Sequence, residues 1–176
     1  EVLRTQPENQ KITTCHIGNG ASVSAVDHGK CIDTSMGLTP LEGLMMGTRT
    51  GDLDASVVLA IMKKEGKTPD EMQDLLNKKS GLLGISGLGS DMRDVENGVK
   101  EGNERAKLAL DMYNYRIKKY IGAYAAAMGG VDTIVFTAGV GEHQWDVRYN
   151  ALKDLEFLGI EVDYDKNKAN FGEEEI

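Results

Sequence analysis

Three glycine-bearing loops and one arginine hold the residue types that chemistry on an anion requires. In His16-Ile17-Gly18-Asn19-Gly20 the glycines let backbone N–H groups approach an anion closely, while His16 and Asn19 can donate side-chain hydrogen bonds. Asn-Gly between strands is equally a hairpin signal, and a hairpin tip is free to touch a phosphate. In Ser86-Gly87-Leu88-Gly89-Ser90-Asp91-Met92-Arg93 an acid and a base stand two residues apart beyond a glycine loop, where Asp91 can cap a helix or bind ribose hydroxyls. Phe136-Thr137-Ala138-Gly139-Val140-Gly141-Glu142, with His143 at its rim, leads from an apolar strand into a helix, the place where open α/β sheets bind ligands. Arg49, within Gly47-Thr48-Arg49-Thr50-Gly51-Asp52, offers a planar fork that can clamp a carboxylate or phosphate through two bonds, or else is a solvated surface group. No loop matches the dinucleotide fingerprint in order and context, and the lack of G-x-x-x-x-G-K-[ST] excludes a P-loop enzyme.

The elements that must position these loops follow from periodicity. Lys11 to Ile17 alternates and is β-branched, Ala21 to Val26 alternates again, Asp27 to Lys30 has turn chemistry and Cys31 to Thr34 returns, so an antiparallel meander is predicted. Thr39-Pro40-Leu41-Glu42 has the capping-box pattern and predicts a short helical turn over Leu41–Met46, with Met45 and Met46 as core filler. Helices are predicted over Ala55–Lys64 and from Thr68-Pro69, the latter turning Met72, Leu75 and Leu76 inward. Ser80–Ser90 is too rich in glycine for a helix interior and predicts a working loop. Residues 103–128 form the longest helical pattern, buried in its Tyr120–Met128 half; Val131–Phe136 predicts a buried strand, and Trp145–Leu158 a helix stopped by Gly159. Strands, then helices, then a strand–loop–helix unit make a mixed α/β domain.

Composition sets the frame. A chain of 176 residues with 40% hydrophobic and 27% charged residues is a globular domain, not a disordered tail or coiled coil. Lys and Arg total 20 against 28 Asp and Glu, and the net charge of -8 with scattered basic residues argues against nucleic acid or an anionic membrane as partner. With no apolar run near the roughly 18 residues of a membrane span and no cationic signal region, the cytoplasm is the expected compartment. Cys15 and Cys31 stand in apolar stretches without metal-ligand spacing and are expected as buried, reduced thiols; His28 is expected at the surface of its turn. The start at Glu1 and the acidic end Glu173-Glu174-Glu175-Ile176 read as a fragment of a longer protein.

Taken in order, His16–Ser22, Asp33-Thr34-Ser35-Met36-Gly37, Thr39–Asp52 and Phe136–Glu142 closely resemble the acetate kinase family, over about residues 11–165. The run Asp33–Asp52 is specific to acetate and related short-chain acyl kinases. The resemblance implies the ribonuclease-H-like fold of sugar kinases, actin and the Hsp70 ATPase, a mixed sheet flanked by helices, with residues 1–176 forming most of the second, C-terminal domain. The N-terminal domain and the extreme C-terminus would then lie outside the chain.

By position, the resemblance implies that His16, Ile17, Gly18, Asn19 and Gly20 surround the nucleotide phosphates, that Asp91, Met92 and Arg93 border the adenosine, and that Gly139, Val140, Gly141, Glu142 and His143 form the far wall. The family usually has Asn at the position of His143 and often an aromatic at that of Met92. Arg49 would bind the acetate carboxylate and then stabilise the phosphoryl group in flight. The implied reaction is reversible phosphoryl transfer between ATP and acetate, giving acetyl phosphate and ADP, with Mg²⁺ held by residues outside this chain and the protein a homodimer. A propionate or butyrate kinase shares the same loops. A non-catalytic module gated by nucleotide is the reading from another class, and it has no use for a carboxylate clamp at Arg49.

Overall fold

A computed structural model of the chain describes residues 5–170, 172, 175 and 176, so Glu173 and Glu174 of the acidic end lie outside the described residues. The chain divides into two compact units, one of Glu1–Ser35 with Asn114–Ile176, the other of Met36–Tyr113.

The first unit is built on the meander. Strands β1 (Lys11–Ile17) and β2 (Ala21–Asp27) pair antiparallel, with Thr13 opposite Ala25, Cys15 opposite Val23 and Ile17 opposite Ala21. These six residues are buried, because alternate side chains of a strand share a face. Strand β3 (Lys30–Thr34) pairs antiparallel with β2, and β4 (Thr133–Thr137) pairs parallel with β1, giving the order β3-β2-β1-β4. Two expectations are corrected by this order. Cys15 is buried, but Cys31 is exposed with the whole of β3, since β3 is an edge strand and among the described residues none covers it; both thiols are free. Likewise β4 is half-buried with Val135 exposed, because among the described residues it too is an edge.

Helix α5 (Glu104–Met128) starts where Asn103 Oδ1 accepts from the N–H groups of Arg105 and Ala106, both at 3.0 Å. Its second half is buried only along the stripe Ile117, Ile121, Tyr124, Ala125 and Met128, while Ala123, Ala126 and Ala127 are exposed, so it is amphipathic, not buried all round. After β4 come α6 (Ala138–His143), α7 (Trp145–Leu152) and α8 (Tyr164–Ala169). The helix expected to reach Leu158 ends at Leu152. Asp154 turns left-handed with φ 64° and Lys118 Nζ takes the freed Lys153 carbonyl; a 3-10 turn, Glu156–Leu158, then ends at Gly159, whose φ is 80°.

The second unit contains α1 (Ala55–Glu65), α2 (Pro69–Lys78), α3 (Gly81–Ser86) and α4 (Met92–Lys100). At α2 the capping box forms as the pattern predicts: Glu71 N donates to Thr68 Oγ1 at 3.3 Å and Thr68 N to Glu71 Oε2 at 2.8 Å. Met72 is buried and Leu75 and Leu76 are half-buried. The same pattern at Thr39–Glu42 starts no helix, because Gly43 follows with φ 102° and the chain leaves helical geometry at once. Leu44, Met45 and Met46 are nonetheless core. The Ser80–Ser90 stretch, expected as a loop throughout, opens with α3, whose first glycine, Gly81, has a packing reason described below.

Candidate functional site

Parallel pairing of β1 with β4 sets His16 opposite Thr137, so two of the three glycine loops leave the carboxyl ends of adjacent strands. His16 Nδ1 lies 3.0 Å from Thr137 Oγ1, which leaves Nε2 for an external partner; His16 and Asn19 are exposed, while Ile17 is fully buried and can offer only its backbone. A Cβ on Gly18 would lie 3.6 Å from Ala138 Cβ, so the two turns touch. Ala138 has φ 65°, a left-handed conformation that costs a non-glycine residue roughly 1–3 kcal/mol. Glu142 holds this turn by accepting the Ala138 N–H at 2.9 Å. A Cβ on Gly139 would meet nothing within 4 Å, and the residue has no positive φ, so neither backbone nor packing within the chain demands glycine there. Bare backbone over open space is what a ligand approaching closely would require.

In the second unit the arginine loop is closed on itself and braced from below. Asp52 N donates to Gly43 O, and Gly43 N to Asp52 Oδ1, each at 2.9 Å. Leu82 N, Leu83 N and Ser80 N donate to the carbonyls of Met46, Gly47 and Thr48 at 2.9, 3.0 and 2.9 Å, so the loop satisfies donors that the start of α3 would otherwise leave unpaired. Thr48 Oγ1 donates to Asn77 O at 2.7 Å and Thr50 N to Leu76 O at 3.1 Å, fastening the loop to the end of α2. The Arg49 guanidinium itself is held lightly, by Pro40 O at 3.3 Å and Met46 Sδ at 3.5 Å. A fixed backbone beneath a half-exposed guanidinium suits capture of an anion.

Asp91 is the cap of α4, its Oδ1 accepting from Arg93 N at 2.9 Å. The same carboxylate takes the Arg93 guanidinium through Nε at 3.0 Å and Nη2 at 2.6 Å, and this pairing holds the carboxyl down at about 2. Met92, 5% exposed, turns into the core. The sequence singled out outward-facing residues together with buried Ile17, Met92 and Gly141, and missed three that hold the loops: Gly81, whose neighbours are the Arg49 loop, and Arg148 with Asn167, which grip the end of α6. Arg148 had a signal, being a charged residue on the inward stripe Val147, Arg148, Ala151, Leu152.

Among the described residues no three His, Cys, Asp or Glu side chains converge as a metal site, and no helix is long and apolar enough to cross a membrane.

A meander joined by a parallel fourth strand, with ligand-type loops at the carboxyl ends of β1 and β4, is the ribonuclease-H-like architecture of the actin, Hsp70 and sugar kinase superfamily. Residues 1–176 match the Acetokinase family, and the chain belongs to it. It is 61% identical over 176 residues to an acetate kinase of Bacteroides thetaiotaomicron, covering 100% of this chain and 44% of that protein. A crystal structure of a Porphyromonas gingivalis acetate kinase superposes with TM-score 0.96 at 53% identity, covering 98% of this chain and 43% of that one. A propionate kinase from Francisella tularensis superposes with TM-score 0.86 at 42% identity over 91% of this chain and 41% of that one. The chain thus spans less than half the length of these relatives.

Proposed function

We propose that this chain is the nucleotide-binding C-terminal domain of an acetate kinase, a phosphotransferase that moves phosphate reversibly between ATP and acetate. The observation that carries this reading is the meeting of the His16–Gly20 hairpin and the Thr137–His143 turn at the carboxyl ends of paired strands, in a chain that matches the family throughout. ATP or ADP fits the donor set: backbone N–H groups of Asn19 and Gly20, His16 Nε2 and the Asn19 amide for the phosphates, with the Gly18 N–H closing the hairpin on Gly20 O at 3.1 Å, and at the wall open space over Gly139, beside half-buried Val140 and a Gly141 packed against Ile17 and Phe136. Glu142 and His143 close that wall, Glu142 by holding the turn. Asp91 and Arg93 border the adenosine as one ion pair, Met92 contributing backbone. Magnesium, when bound with the nucleotide, would supply neutralisation of phosphate charge, with its ligands outside these 176 residues.

In this reading Arg49 engages the acetate carboxylate with its fork and then faces charge developing on the equatorial phosphoryl oxygens. Phosphoryl transfer needs alignment and charge neutralisation more than covalent help, which a guanidinium on a braced loop provides. The protein acts in the cytoplasm as a homodimer. The test is formation of acetyl phosphate from ATP and acetate by the full-length protein, trapped as the hydroxamate; no product in a folded preparation refutes the reading. The resemblance to a propionate kinase favours one alternative, a longer acyl substrate, and the ratio of kcat/KM for acetate, propionate and butyrate decides between them.

A further inference from the structure

Arg148 is a buried residue, 3% exposed, yet the partners of its guanidinium are carbonyl oxygens, not a carboxylate. Nη1 donates to Gly141 O at 2.9 Å and Glu142 O at 2.7 Å, the carbonyls that the last turn of α6 leaves without helical partners. Nε donates to Asn167 Oδ1 and Nη2 to Asn167 O, both at 2.7 Å. Asn167, on α8 and fully buried, passes the contact on through Nδ2 to Trp145 O at 2.8 Å. A buried cation is costly unless its hydrogen bonds are met, and here four are. Positive charge beside helix carbonyls is also favoured by the helix dipole.

The grip lies at one end of a strained turn. Ala138 keeps its left-handed φ of 65° because Glu142 holds its N–H. A conformation of that kind persists only where the surroundings over-determine it. The Glu142 carboxylate fixes the start of the turn, and Arg148, taking the Glu142 and Gly141 carbonyls, fixes its end.

We infer that Arg148, braced by Asn167, is a positioning residue that sets the Thr137–His143 turn in the conformation that receives nucleotide. Its effect on nucleotide rests on the function proposed above; its hold on the turn does not. Arg148→Met removes the four bonds with little change in length, and Arg148→Lys retains the charge but not a fork that spans α6 and α8 at once. Asn167→Ala, a milder variant, removes the Asn167 side-chain half of the brace and leaves the bonds to α6.

The test uses the full-length protein and two readouts. Hydrogen exchange of the amides of residues 138–143 should quicken in Arg148→Met, less in Arg148→Lys and Asn167→Ala, while β1 and β2 keep wild-type protection. The KM for ATP should rise roughly ten- to a hundredfold in Arg148→Met, the factor by which binding weakens when a strained turn must be re-formed as ligand binds, with the KM for acetate within twofold. Unchanged exchange at the turn overturns the proposal, as does exchange that quickens equally in β1 and β2, which marks general destabilisation. A loosened turn with an unchanged ATP KM overturns its role in binding. Absence of phosphoryl transfer in the wild type refutes the functional reading alone, and the exchange data still decide whether Arg148 holds the turn; if Arg148→Met does not fold, Asn167→Ala decides both readouts.

Discussion

Replacing Gly81 by alanine should disable the arginine loop from outside it. Gly81 has φ 62°, and a Cβ there would stand 2.1 Å from Met46 O, 2.8 Å from Arg49 O and 3.0 Å from Arg49 N. All three are backbone atoms, so no side chain can swing aside. The left-handed conformation costs alanine roughly 1–2 kcal/mol, which lowers the melting temperature by about 2–8 °C in a domain of this size. To restore an ordinary contact, the Met46–Arg49 backbone must retreat by more than about 1 Å, and a misplacement of about 1 Å already costs on the order of 10² in rate. In the full-length protein, kcat/KM for acetate should therefore fall about a hundredfold while the KM for ATP stays within twofold. A folded Gly81→Ala protein with activity within twofold of wild type would show that the brace at Gly81 does not set the position of Arg49. A loss appearing only in the ATP KM would refute the separation of acyl and nucleotide roles.

Other outcomes follow from single residues. Arg49→Ala should lower kcat by roughly 10²–10³ with ATP affinity little changed, measured by steady-state kinetics; an equal loss in ATP affinity makes Arg49 a phosphate clamp instead. Asp91 has its carboxyl held from an ordinary 3.8 down to about 2 by the Arg93 pairing and cap, so its contribution is present above about pH 4 and lost as pH falls toward 2. Asp91→Asn should flatten that part of the acid-unfolding curve, and its exposure to solvent keeps the effect small. Iodoacetamide should modify Cys31 in the folded chain and spare Cys15, whose burial pushes its thiol up to about 12; peptide mass mapping that finds Cys15 labelled in the native state contradicts the packing of β1.

Local rules made much of this fold legible and failed where tertiary contacts decided. β1 and β2 alternate so regularly that their antiparallel pairing was legible, though not its register, and the Thr68–Glu71 box forms because helix formers follow it. The same letters at Thr39–Glu42 fail because Gly43 and the closure between Gly43 and Asp52 take the chain elsewhere. Glycine content argued against a helix at Gly81–Ser86, but Gly81 is there to let the helix start meet a loop more than thirty residues away in sequence, a contact that no window reveals. Exposure of Cys31 and Val135 depends on which strands lie at the edges, and that is a property of sheet order, not of the strand itself. The candidate ligand residues were readable because loops that serve ligands carry glycine beside polar groups. Arg148 gave only the faint signal of a charge on the inward stripe of α7, because its partners are three backbone carbonyls and the Asn167 amide, none with a sequence signature.

The central claim is that this chain forms the nucleotide half of a kinase. Calorimetric titration of Mg-ADP into the 176-residue chain, with Asn19→Ala and Arg93→Ala alongside, tests it most directly. The account predicts saturable one-to-one binding, weakened by both substitutions. A chain that melts cooperatively and yet takes up no Mg-ADP, or binds it equally well in both variants, would contradict it.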